Sequence, residues 1–201
     1  MRNYMIAVCC MLGAIAFSAC DSGNNGQQTT DATGNPTVAG LDTALTQDRQ
    51  DLLAFTARNN MLQIELGRMA VEKGQTNNVK SYGQDLVNWY TTKQEELQEL
   101  AQQYNVTLPQ ELDDEQRSHL EDIRGTEASK FDEEYWDTVT DAQKDAIDRL
   151  DNGLKDVDEA NATAFSLWAR NTVKELRAQM EQAKKYELEL ENREGGIAPA
   201  I

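Results

Sequence analysis

From residue 42 onward, apolar positions recur three and four residues apart, the period at which side chains share one face of an α-helix. The first such stretch, about 42–73, sets Leu45, Leu52, Phe55, Leu62, Leu66 and Met69 on one stripe, and Gly74 follows it. A second, about 76–104, turns Val79, Tyr82, Leu86, Trp89, Leu97 and Leu100 inward and Lys80, Lys93, Glu95 and Glu99 outward, until Asn105 and Leu108-Pro109 break it. A short helix over 113–124 opens on acids that suit the positive end of its dipole and closes at Gly125. The third long helix, about 126–153, carries Phe131, Tyr135, Val139, Ala142, Ile147 and Leu150. The fourth, about 158–192, carries Phe165, Trp168, Thr172, Leu176, Met180 and Ala183, and ends before Gly195-Gly196.

Amphipathic helices of about 30 residues, each ~45 Å long, cannot bury such stripes alone. Packed together they make an all-α four-helix bundle with a short extra helix between the second and third long helices. Up-down-up-down is the simplest connectivity, with a long crossover through the short helix as the alternative. The Met, Trp and Tyr residues on the stripes read as core.

Ahead of the bundle, Arg2 is the only charge before an apolar run, Met5 to Phe17, followed by Ser18, Ala19 and Cys20. That run is short of the ~20 residues that span a bilayer and suits the apolar region of a signal peptide. Phe17-Ser18-Ala19-Cys20 resembles the bacterial lipobox, in which cleavage exposes a cysteine that is acylated. Cys9 and Cys10 would be discarded with the leader, so Cys20 alone would remain and no internal disulfide could form. Two or three acyl chains at ~0.8 kcal/mol per buried methylene would hold the chain to a membrane almost permanently. Asp21 resembles an inner-membrane retention signal of enteric bacteria, but other phyla sort differently, so either membrane of a Gram-negative envelope is open.

The expected organisation is thus a lipoprotein signal peptide at 1–19, an acylated cysteine with a flexible tether at 20–41, the bundle at 42–194 and a flexible tail at 195–201. About twenty tether residues, rich in Gly, Asn and Thr, give a span of roughly 25 Å. Removing 1–19 takes away Arg2 alone, so the 19 Lys+Arg fall to 18 against 35 Asp+Glu and the formal net charge goes from −16 to −17. A phosphate backbone would be repelled by that field, which argues against a nucleic-acid partner.

Di-metal carboxylate bundles need a Glu from each of two helices and Glu-x-x-His from the other two, since side chains at i and i+3 converge on one metal. The chain has one histidine, His119, with Gln116 three residues before it, so no Glu-x-x-His exists. His119 stands among Glu115, Arg117, Glu121 and Asp122 and reads as a solvated side chain. An all-oxygen site for a hard cation stays open, although no run resembles an EF-hand loop. There is no Gly-rich phosphate loop, no Gly-x-Ser-x-Gly elbow and no cysteine near a histidine in the mature chain. The expectation is a protein that is not an enzyme and holds no cofactor.

Glu65-Leu66-Gly67-Arg68-Met69-Ala70, Val79-Lys80-Ser81-Tyr82, Leu97-Gln98-Glu99-Leu100-Ala101 with Val106-Thr107-Leu108-Pro109, and Phe131-Asp132-Glu133-Glu134-Tyr135 together resemble the bacterial domain of unknown function 4142 family. The resemblance covers about 50–186 and implies a ferritin-like fold in an envelope protein of no settled activity. Its sharpest step is the FD-x-x-Y motif at Phe131. The family's Asp-His pair in the second helix falls on Trp89 and Tyr90, its third-helix histidine on Gln143 and its fourth-helix histidine on Gln179, with Val173-Lys174 in place of Leu-Pro. Glu65 and Asp132 keep acidic family positions.

On this alignment all three imidazoles are absent. Glu65, Tyr90, Gln143 and Gln179 become a candidate polar core layer at the former metal positions, with neutral hydrogen bonds setting the register. The function expected is a membrane-anchored lipoprotein whose bundle is a non-catalytic binding or structural module. The alternative is a ferritin-like protein holding a di-metal site with carboxylates only.

Overall fold

The computed structural model describes residues 44–194 apart from 159 and 161. The expected signal peptide, acylated Cys20, tether and 195–201 tail lie outside the described residues. Within them are five helices: α1 (Gln47–Lys73), α2 (Asn77–Gln103), α3 (Asp114–Gly125), α4 (Phe131–Leu154) and α5 (Ala164–Glu194). None is long and apolar enough to cross a membrane.

Three of the starts are capped by a side chain. Thr76 Oγ1 accepts the Val79 N–H at the head of α2. At α3 the Asp113 carboxylate takes the Gln116 N–H while the Gln116 side chain takes the Asp113 N–H, a reciprocal capping box. Two starts fall later than the sequence pattern suggests. The chain from Thr126 to Lys130 does not enter α4, because Thr126 closes α3 by donating its N–H to Ile123 O and 127–130 form a turn. Asp158 does not begin α5 either. Its side chain takes the Ala160 N–H in a local turn, and Thr163 Oγ1 accepts from Ser166 at the true start.

The connectivity is the crossover and not up-down-up-down. At the upper end, both Asp132 carboxylate oxygens accept backbone N–H groups from Gln75 and Thr76 in the α1–α2 turn, so α4 begins where α2 begins. At the lower end, the Phe165 N–H bonds Tyr104 Oη at the foot of α2, and Arg49 near the start of α1 lies 5.0 Å from the Phe165 ring centre. α1 therefore runs up, α2 and α4 run down and α5 runs up. The segment from Tyr104 to Lys130, α3 included, carries the chain back along the length of the bundle. α1 and α5 are diagonal partners, as are α2 and α4, while α1 packs on α2, α4 and α3.

Among the described residues, thirty buried apolar side chains fill the interior, led by Trp136, Tyr90, Tyr135, Phe131, Phe165 and a set of leucines, and their number makes burial the main source of stability. α1 and α2 meet backbone to backbone where two glycines face each other. A Cβ on Gly67 would lie 2.6 Å from Gly83 O, and one on Gly83 would lie 2.6 Å from Ala70 Cβ, so neither position has room for alanine without a shift.

A neutral polar layer as the candidate functional site

Among the described residues, two groupings of buried polar side chains tie the helices together across the interior, while Lys93, expected to face outward, is also buried and held by Glu96 and Glu175. Halfway along, Gln63 from α1, Tyr82 and Tyr90 from α2 and Tyr135 and Gln143 from α4 are all buried. Gln143 Nε2 donates to Tyr82 Oη at 2.9 Å, and the Tyr82 hydroxyl donates to the backbone carbonyl of Gln179 on α5 at 3.0 Å. Gln63 Nε2 reaches Val139 O, one turn above Gln143, at 3.4 Å. All four long helices are thus tied across one level.

The layer carries no charge. Burial pushes the phenols of Tyr90 and Tyr135 well above their ordinary range, and each is raised further by the neighbouring tyrosines; the Gln143 amide beside Tyr90 offsets this only in part. Tyr82 is raised for the same first reason, burial, against the opposing pull of Gln143. The Tyr90 and Tyr135 hydroxyls and the Gln63 and Gln143 carbonyl oxygens have no hydrogen-bond partner among the described residues. Two hydroxyl donors and two amide acceptors in this part of the interior thus stand without a partner among the described residues.

Each sequence candidate has a definite place. Tyr90 and Gln143 are in the layer, both fully buried. Gln179 joins through its backbone carbonyl, while its side-chain oxygen is buried without a partner. Glu65 does not join. It lies on the outer side of α1, paired with Arg68, because Leu62, Leu66 and Met69 take the inward face. Cys20 lies outside the described residues. His119 is exposed on α3. Tyr82, the hydroxyl on which the layer turns, reads in the sequence as an ordinary core aromatic, and Gln63 gives no sign of burial there. The latter is covered because α1 has three neighbours, which also hide Thr56, Asn59 and Asn60.

The second place is the upper end, built by the FD-x-x-Y step. Asp132 is 5% exposed and holds the α1–α2 turn through bonds of 2.7 Å to Gln75 N and 2.7 Å to Thr76 N. Lys73, the last residue of α1, lies 5.3 Å from the Phe131 ring centre, and its ammonium donates to the carbonyls of Arg124 in the last turn of α3 and of Thr126 just after it. Tyr135 stacks on Phe131 with ring centres 6.1 Å apart. The motif is a clasp that fastens the crossover to the turn.

A di-metal centre does not fit the layer. Hard metal ions take anionic oxygens or imidazoles, whereas this level offers neutral phenols and amides, and Asp132, the buried carboxylate near Tyr135, is committed to two backbone donors. Among the described residues no three His, Cys, Asp or Glu side chains gather closely enough to hold one ion.

A family model described as a domain of unknown function (DUF4142) matches residues 35–186. No curated protein and no solved structure matches the chain.

Proposed function

The chain belongs to the DUF4142 family, and from that premise we propose that it is a lipid-anchored envelope protein whose bundle is a non-catalytic binding or structural module. The observation that carries the non-catalytic part is the neutral layer of Gln63, Tyr82, Tyr90, Tyr135 and Gln143, where phenols held above their ordinary range lack the poised acid or base that proton-transfer chemistry needs. The anchor rests on Phe17-Ser18-Ala19-Cys20 and on the absence of any other cysteine after residue 10. The membrane is thus the one partner the chain itself names, and the protein belongs to the inner or outer membrane of a Gram-negative cell. The net charge speaks against nucleic acid.

Two measurements test it. Mass spectrometry of the protein from its native membrane should show a mature chain beginning at acylated Cys20; a chain uncut after Ala19 overturns the anchor. Metal analysis of protein purified without its acyl chains should show no stoichiometric iron or manganese. A tightly held transition-metal pair would replace the non-catalytic reading with a ferritin-like di-metal carboxylate protein.

A further inference from the structure

The layer does not use all of its own hydrogen-bonding capacity. Gln63, Tyr90, Tyr135 and Gln143 are each 0% exposed, yet the Tyr90 and Tyr135 hydroxyls and the Gln63 and Gln143 carbonyl oxygens lack a partner among the described residues. Buried polar side chains elsewhere in the bundle are paired: Thr56 Oγ1 donates to Leu52 O at 2.8 Å, Asn60 Nδ2 donates to Gln94 Oε1 at 3.0 Å, and Asp132 accepts two N–H groups. A buried donor or acceptor left unpaired has lost its hydration and gained nothing for it, and four at one level would remove a large share of the stability of a domain this size.

These side chains cannot close the gap themselves without giving up other contacts. A phenol oxygen moves only with its ring, and the rings are packed: Tyr90 lies edge-on to Trp89 with centres 4.6 Å apart, and Tyr135 lies against Phe131 at 6.1 Å and Trp136 at 5.1 Å. The glutamines are held by their amide nitrogens. Gln143 Nε2 donates to Tyr82 Oη at 2.9 Å and Gln63 Nε2 to Val139 O at 3.4 Å, so swinging either carbonyl toward a phenol moves the nitrogen off its acceptor. The unpaired groups are also neighbours. The Gln143 amide lies beside Tyr90, and Tyr135 is close enough to feel both Tyr82 and Tyr90.

The pattern of donors and acceptors selects the ligand. The phenols have protons to give and the amide oxygens have none, so a bridging group must accept from the first pair and donate to the second. Water does both, and in a buried polar site it makes about three hydrogen bonds. A metal ion would need anionic oxygens, which a neutral layer does not offer, and a larger organic molecule would need room beside side chains that are 0% exposed. We propose that the layer is a site for internal water, which accepts the protons of Tyr90 and Tyr135 and donates to the amide oxygens of Gln143 and Gln63. This site rests on the structural-module reading and deepens it: where a ferritin-like centre uses ions, water completes the ties among the four long helices.

Magnetic relaxation dispersion of water oxygen-17 in solutions of the whole purified protein counts the water molecules held longer than the protein takes to tumble. At least one per chain is expected, and Tyr90→Phe together with Gln143→Leu should remove at least one while the helix signal persists. Thr56→Val deletes a buried hydroxyl that is already paired, so as the control it should leave the count unchanged. A crystal structure of the unaltered chain answers independently of whether the variants fold: a solvent peak about 2.7–3.2 Å from both Tyr90 Oη and Gln143 Oε1 is expected. A direct bond between those two oxygens with no peak between them, or an unchanged water count in the folded double variant, overturns the water site and leaves the neutral, non-catalytic interior standing. A stoichiometric iron or manganese pair at this level overturns both.

Discussion

At the upper end of the bundle a carboxylate, Asp132, is buried with both oxygens on backbone N–H groups 2.7 Å away, while halfway down every buried polar group of the layer is neutral and four of its polar atoms have no partner among the described residues. The contrast follows from what each level offers. A helix turn presents orphan N–H donors that an anion satisfies, and the partial positive charge at the start of α2 adds to the attraction. The middle of a helix has already spent its N–H groups, so a charge there would have to find its partners among side chains. Phenols and amides cost less to bury, and they leave the interior a level of hydrogen bonds that discriminates register without needing an ion.

The comparison is broken most severely at the clasp. Asp132→Ala removes the acceptor of two part-buried N–H groups and should cost ~1–3 kcal/mol in denaturant unfolding. Asp132→Asn, which keeps one good acceptor, should cost visibly less, and equal losses would deny the carboxylate its special role. Next come the layer and its coupling. Gln143→Leu and Tyr82→Phe should each cost ~1–3 kcal/mol, but the double variant should cost less than their sum, because removing both partners of the 2.9 Å bond leaves one orphan fewer. Additive losses would show that the two side chains act independently. Gln179 has no place in this cycle, because its contribution is a backbone carbonyl that mutation to leucine leaves in place.

The smallest effect has the opposite sign. Glu187 is raised above the ordinary carboxyl value of 4.5, first by burial and then by Asp137, so its contribution to stability is present below that value and is lost as pH rises through the folded value. At neutral pH the ionised group opposes folding. Glu187→Gln should therefore stabilise the bundle by a few tenths of a kcal/mol at pH 7, with the gain shrinking toward pH 4. A destabilised variant at pH 7 would place the like-charge pressure elsewhere.

Much of the architecture is legible in the chain because burial is periodic. Val79, Tyr82, Leu86, Leu97 and Leu100 are buried as the α2 stripe requires, and Leu45, Leu52, Leu62, Leu66 and Met69 as the α1 stripe requires. Direction is not legible. The up-down-down-up order is settled by Asp132 meeting Gln75 and Thr76 more than fifty residues earlier, and nothing local in the link announces that contact. The start of α5 was within reach, since Thr163 three residues before Ser166 is a capping pattern. Alignment and spacing point Tyr90 and Gln143 into the layer, whereas Glu65, acidic as the family position is, faces outward because Leu62, Leu66 and Met69 set the helical phase. Gln63 and Tyr82 escaped for a physical reason. A polar residue on a helix with three neighbours is buried by its surroundings, and a tyrosine on an apolar stripe does not disclose whether its hydroxyl is idle or central.

The most direct test of a neutral, hydrogen-bonded interior is an alkaline titration of the bundle followed at once by phenolate absorbance and by helix content. Phenols raised in the folded state contribute stability that is present below their ordinary value of 10.0 and lost as pH rises through the folded one. Tyr82, Tyr90 and Tyr135 should therefore ionise only as the helix signal collapses, in one cooperative step. Ionisation of these three while the helices stay intact would contradict the account, since it would mean that the interior accepts charge.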